Sequence, residues 1–186
     1  MLQRMIMDTY LQQILPGTLL GLILYVAVLP LRRRRLAGKG LSSPAGREWL
    51  MLILWCYGGA MAMMTLMPPG FQLAALLRGE MTQPFFTAGT YNFKLFATMQ
   101  YTRELTVGNV VLFMPFPFLA AVLWRREKWY QALLLAVSIT VFIECWQHFV
   151  GRMTELDDLI LNTAGGMLGW LVWRVLGRPA LRCKER

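Results

Sequence analysis

Glu144, Gln147 and His148 stand three and four residues apart, so a helix would carry them on one face. Arg152, Asp157, Asp158 and Asn162 follow within fourteen residues of His148. A carboxylate such as Glu144 can act as a general base, or hold an amine or a metal ion. Arg152, and Arg103 further upstream, can grip phosphate or carboxylate through paired N–H donors. Asn109 and Asn162 can orient a ligand by hydrogen bonds. The same side chains also have a plain structural use. Glu144, Gln147 and Asn162 can hydrogen-bond helix to helix, and Asp157 and Asp158 can cap a helix and complement its dipole. Residue types alone leave both uses open.

Other chemistry has less support. His148 has neither an HxxxH partner nor a nearby pair of cysteines, so no metal and no cofactor is expected. Cys56, Cys145 and Cys183 fall in three different segments and suggest neither a disulfide framework nor a zinc motif. Gly165, Gly166 and Gly169 lie inside an apolar run with no Lys-Ser/Thr after them, which reads as helix packing and not as a phosphate loop.

What must position these groups is a membrane frame. Of 186 residues, 56% are hydrophobic and 16% charged, against about 25% charged in an ordinary soluble domain. Apolar runs of transmembrane length recur. The expected fold class is all-α, a polytopic helical membrane protein of about five transmembrane helices. They fall near 14–31, 49–67, 107–124, 129–149 and 159–176. Residues 1–13 read as a short polar lead, with Pro16 in the first turn of the first helix. Gly17 and Gly21 form a GxxxG face that lets another helix approach. Pro68-Pro69 ends the second helix, and Pro115 and Pro117 kink the third. The connection 68–106 is rich in aromatics for a loop. It is expected to lie in the interface or fold back over the helices.

The net charge of +9 raises the question of nucleic acid, and its distribution answers it. Five spans put residues 32–48, 125–128 and the tail from Arg174 on one side. These hold 14 Lys/Arg and three acids; the other side holds five Lys/Arg and seven acids. The positive-inside rule then sets the N-terminus outside and the C-terminus in the cytoplasm. The basic excess is a topology signal, and no nucleic-acid partner is expected. Trp49, Trp124, Trp129 and Trp173 fall where an inner aromatic belt belongs. In this arrangement Asn109, Glu144, Arg152, Asp158 and Asn162 share one depth, at the outer boundary of the bilayer, and are expected to line one cavity there. Ionisable groups in a bilayer are costly and rare without a use.

These residues resemble the VanZ-like family of bacterial membrane proteins. The likeness is carried by Glu144-x-x-Gln147, Arg152, the block from Thr154 through Asp157-Asp158 and Asn162 to Gly165-Gly166, and Gly169. Arg103-Glu104 and Asn109-Val-Val-Leu-Phe113-Met-Pro115-Phe look like the family's central block. Tyr91-Asn92-Phe93-Lys94-Leu95-Phe96 is similar to its Asn-Leu-x-Pro-Phe element, with Leu95 replacing the proline. Pro117 stands where a glycine is usual. The resemblance spans about 91–170.

It implies a multi-pass plasma-membrane protein acting at the cell envelope, since the family's founding member is linked to low-level resistance to teicoplanin, a glycopeptide that binds cell-wall precursors. Residues 1–90 would supply two helices and the start of the external connection, 91–176 the VanZ-like core, and 177–186 a basic tail, all in one membrane domain. The partners implied are the lipid bilayer and a lipid-linked wall precursor or the glycopeptide itself. Binding through Arg103, Asn109, Gln147, His148, Arg152, Asp157, Asp158 and Asn162 is one use of the site. A hydrolase or transferase acting on a lipid-linked headgroup, with Glu144 as base, is the other.

Overall fold

The computed structural model describes residues 2–81, 84–96, 103–124, 128–177 and 184–185, with side chains from residue 12 to 177 and, in the helix that opens at Arg103, from residue 106. Among the described residues seven helices dominate: α1 (Leu2–Ala37), α2 (Ala45–Leu66), the short α3 (Leu73–Leu77), α4 (Arg103–Phe113), α5 (Pro115–Trp124), α6 (Trp129–Phe149) and α7 (Leu156–Val175). Two-residue strands complete them: β1 (Leu41–Ser42), β2 (Tyr91–Asn92), β3 (Thr154–Glu155) and β4 (Lys184–Glu185). β1 pairs with β4 antiparallel, and β2 with β3 in parallel.

Among the described residues four segments are long and apolar enough to cross a membrane: Gln12–Ala37, Ala45–Leu66, Thr106–Trp124 and Trp129–Phe149. The expected fifth span is present as α7, with 20 residues, but it is outside this group. Asp157, Asp158, Asn162 and three glycines dilute its apolar character. α7 packs against α4, α5 and α6, so much of its surface meets protein instead of lipid.

The first helix departs from expectation. No breaker stands between Leu2 and Gln13, and the polar lead is helical. Pro16 is therefore inside α1, not in its first turn, and leaves a backbone carbonyl one turn earlier without its usual donor. The helix also runs on through Arg32–Arg35 to Ala37.

The expected close approach at Gly17 and Gly21 is realised against α2. A Cβ built on Gly17 would fall 2.7 Å from the Cα of Ala60, and one on Gly21 2.8 Å from the Cα of Cys56. The paired positions run in opposite directions, so α1 and α2 form an antiparallel hairpin. Small residues act likewise in α7. Gly165 and Gly169 meet the backbone at Val110 and Met114, and Gly166 meets Ala136 and Pro117. The three glycines are packing contacts, and α7 sits in the centre of α4, α5 and α6. The third expected span is broken at Met114, so that Pro115 opens α5 as its first residue, a position where the missing N–H costs nothing.

One end of the bundle is basic. There Arg32 pairs with Glu48, whose Oε2 also accepts the Tyr25 hydroxyl at 2.8 Å, and Arg47 Nη1 donates to the carbonyl of Leu123 at 2.5 Å. Trp49, Trp124 and Trp129 are exposed here. Trp173 is not part of that belt: it is 1% exposed and packs with Ala121 and Val122, whose small side chains leave it room.

The other end is crossed by a strap. The connection after α3 returns over the ends of α6 and α7, as its aromatic content suggests. Thr87 N–H donates to Phe149 O at 2.9 Å, Gly89 N–H to His148 O at 2.7 Å, and Thr154 N–H to Thr90 O at 2.9 Å. Tyr91 and Asn92 then pair with Thr154 and Glu155. Residues 82–83 and 97–102 of this connection lie outside the described residues.

Candidate functional site

α2 and α6 finish, and α4 and α7 begin, at the strap end, and the polar residues of the sequence gather there in three groups. The first group closes α2. A helix leaves its last four carbonyls without internal donors, and Pro68-Pro69 supplies none. The α6 end supplies them: Gln147 Nε2 donates to Thr65 O at 3.1 Å, Trp146 Nε1 to Leu66 O at 2.8 Å, and Arg152 Nη1 to Met64 O at 3.1 Å and Met67 O at 3.4 Å. The guanidinium charge also suits the negative end of the α2 dipole. Gln147 and Arg152, both candidate ligand groups, are thus engaged in joining α6 to α2.

The second group opens α7. Asp157 and Asp158 lie in its first turn, where negative charge is favoured. Asp157 is 1% exposed, and its Oδ1 accepts the Phe96 N–H at 2.6 Å, which fastens the strap. Asp158 Oδ1 accepts from Asn109 Nδ2 at 2.5 Å and ties α7 to α4. One turn further, Asn162 is buried, and its Oδ1 has no hydrogen-bond partner among the described residues. Arg103 begins α4, but its side chain lies outside the described residues.

The third group surrounds a cavity of about 270 Å³. Glu144 and His148, one turn apart on α6, line one wall together with Val141, Cys145 and Phe149. Leu156 and Leu159 of α7 line the next, and Tyr91 and Phe93 of the strap close over it. Glu144 is 6% exposed. Its Oε2 accepts the Glu155 N–H at 3.1 Å, and its backbone carbonyl accepts the Thr154 hydroxyl at 3.1 Å. Among the described residues it makes no ion pair. Glu155, Asp158 and Arg152 lie within electrostatic reach of it. The His148 ring stacks on Tyr91 with centroids 4.4 Å apart, and its Nδ1 is buried without a hydrogen-bond partner among the described residues.

The structure therefore brings Glu144 and His148 to one cavity and puts Asn109, Gln147, Arg152, Asp157, Asp158 and Asn162 around it without making them its wall. Tyr91, Phe93 and Glu155 line the cavity and were not singled out as site residues. The Tyr91-Asn92-Phe93 pattern, aromatics two apart in an otherwise irregular stretch, is the signal that could have found the two rings. A short strand would set both rings on one side, and Tyr91 and Phe93 do stack, 5.6 Å apart.

A family model described as VanZ/LLP1 matches residues 49–177. The chain belongs to the VanZ/LLP1 family. No curated protein and no solved structure matched it. The VanZ/LLP1 match reaches beyond the 91–170 resemblance to include α2, which is the helix that Gln147 and Arg152 hold. The family region therefore contains the cavity, the strap and the capped end of α2 as one unit.

In chemical terms a carboxylate set into an apolar wall does one of two things. It accepts hydrogen bonds from a cation or polar headgroup, or it takes up a proton. Among the described residues, no lysine or arginine lines the cavity, so it offers phosphate no counter-charge.

Proposed function

We propose that this VanZ/LLP1 protein acts at the cell envelope from the plasma membrane, with the strap end facing outward, and lowers susceptibility to glycopeptides such as teicoplanin. The observation that carries the reading is Glu144: a buried carboxylate on the wall of a mostly apolar cavity, without an ion-pair partner among the described residues. Polar groups in a membrane are retained where they have a use. The size of the cavity narrows that use. Pockets for drug-sized ligands run from roughly 300 to 1,000 Å³, so about 270 Å³ takes a headgroup or part of a lipid chain and cannot enclose a glycopeptide. The protein then works on what the drug recognises: it binds a lipid or lipid-linked precursor headgroup and alters access to it. The charge asymmetry of the chain supports the orientation, since among the described residues Arg32 to Arg35, Lys39, Arg47, Lys128 and Arg174 lie towards the end away from the strap.

Expression in a teicoplanin-sensitive bacterium tests the reading. The inhibitory concentration should rise above that of cells with an empty vector. An unchanged value, with the protein present in the membrane, would overturn it.

A second reading has one observation in its favour. Glu144 and His148 face the same cavity one turn apart, which is the spacing of a base and its proton partner. The protein would then be a hydrolase or transferase of a lipid-linked headgroup. Glu144→Asp separates the two. It draws the carboxylate back by about one methylene, and a misplacement near 1 Å can cost a catalyst ~100-fold. A binding carboxylate would keep most of its effect.

A further inference from the structure

The cavity has a direction that its polar residues alone do not reveal. Its rim is made of side chains that face away from the bundle. Val141 is 43% exposed, Phe149 60% and Phe93 69%, and all three are apolar. Val141, Glu144 and His148 follow one another along a single stripe of α6, and Val141 lies two turns into the span from His148. On a helix that crosses a membrane, exposed valine and phenylalanine on such a stripe meet acyl chains. The cavity thus opens sideways to the hydrocarbon, with its polar wall at the headgroup end and its apolar wall towards the bilayer interior.

The charges define the ligand's other end. Glu144 and Glu155 line the cavity, Asp158 lies within electrostatic reach of both, and Arg152 directs its Nη1 to the α2 carbonyls. Of the two carboxylates that line the cavity Glu144 is the more buried, and beside the Glu155 N–H that it accepts, a cation is the partner that suits its charge. An anionic headgroup would meet like charge.

We propose that the cavity admits one membrane lipid bearing an ammonium headgroup, with an acyl segment along Val141 and Leu159 and the ammonium against Glu144. The proposal rests on the reading of Glu144 as a functional carboxylate and names the ligand class it selects.

Native mass spectrometry of the full-length protein in a neutral sugar detergent tests it, with three titrated lipids: phosphatidylethanolamine, its N-acetylated derivative, which lacks the cation, and phosphatidylglycerol. Phosphatidylethanolamine adducts should appear at about tenfold lower lipid concentration than the other two, the ratio set by one charge-assisted contact. Glu144→Gln should abolish that preference. If Glu144→Gln does not accumulate, Val141→Trp, which fills the cavity from its lipid side, should abolish it instead. Equal uptake of the three lipids would overturn the proposal. So would a preference that survives both substitutions, or displacement of the lipid by an equal concentration of free ethanolamine, which would make the ligand a soluble amine. The two readings can fail separately. Equal lipid uptake would leave an effect on teicoplanin intact, whereas unchanged susceptibility would leave the lipid preference intact.

Discussion

Arg152 donates from its Nη1 to the backbone carbonyl of Met64, 88 residues earlier in the chain, at 3.1 Å. One guanidinium on the α6–α7 linker thereby closes a helix from the N-terminal hairpin. With Gln147 and Trp146 it supplies donors for all four carbonyls from Met64 to Met67.

Removing that donor should be felt as instability more than as altered ligand choice. Loss of a charged hydrogen-bond donor that leaves part-buried carbonyls unpaired costs up to about 1–3 kcal/mol. Arg152→Ala should lower the unfolding midpoint in detergent and reduce the amount of protein in the membrane. Its lipid preference, measured on the protein that does fold, should match the wild type. A stable Arg152→Ala with changed lipid selection would return Arg152 to the ligand site.

The Asn109–Asp158 pair invites a double-mutant cycle. Both side chains are neutral or acidic contacts between α4 and α7, 2.5 Å apart. Interhelical hydrogen bonds in membranes average about 0.6 kcal/mol and reach about 1.7. Asn109→Ala and Asp158→Ala should couple within that range. Coupling near zero would mean that the pair does not hold the two helices together.

The glycine contacts make a stronger prediction. Gly21 faces the Trp55–Cys56 backbone of α2 with no room for a Cβ. Gly21→Val should force α1 away from α2 and cost at least the 1–3 kcal/mol typical of overpacking, seen as a fall in membrane level. Gly58→Ala, where a Cβ meets nothing within 4 Å, is the matched control and should be silent.

How much of this was legible in the sequence varies by level. The places of the apolar helices, the Gly17–Gly21 contact, the interruption of the third span at Pro115 and the α6 limits followed from hydropathy and from glycine and proline chemistry, which act locally. The start of α1 did not follow, because polar residues can be helical when nothing interrupts them. The polar cluster was legible as a region, since Asn109, Glu144, Arg152, Asp158 and Asn162 do gather at one end, though only Glu144 of the five lines the cavity. Their division of labour was not. Whether Arg152 holds a phosphate or a helix end depends on the α2 carbonyls, which belong to a part of the chain 85 to 88 residues away. Tyr91 owes its place over His148 to backbone pairing with Thr154, and a residue's own type does not encode such a partner.

Orientation has its own test. Met153, half-exposed beside the strap, should react with a membrane-impermeant thiol reagent in intact cells when changed to cysteine, in a background with Cys56, Cys145 and Cys183 replaced by serine. Lys39→Cys, in the turn after α1, should react only after the cells are opened. The reverse pattern would turn the cavity towards the cytoplasm and remove the outward-facing site.

The most direct measurement concerns Glu144 itself. Glu144→Gln keeps the shape of the side chain and can still accept from the Glu155 N–H, but it removes the charge. A carboxylate that only joins helices should tolerate the change, whereas one that pairs with a ligand cation or moves a proton should not. The inhibitory concentration of teicoplanin is to be read in a sensitive host beside a membrane immunoblot, with an unfolding midpoint on the purified variant. The expected result is a variant present at near-normal level, with an unshifted midpoint, and susceptibility equal to the empty vector. Wild-type protection from a normally expressed Glu144→Gln would contradict a functional site at Glu144 and leave it as one more bond between helices.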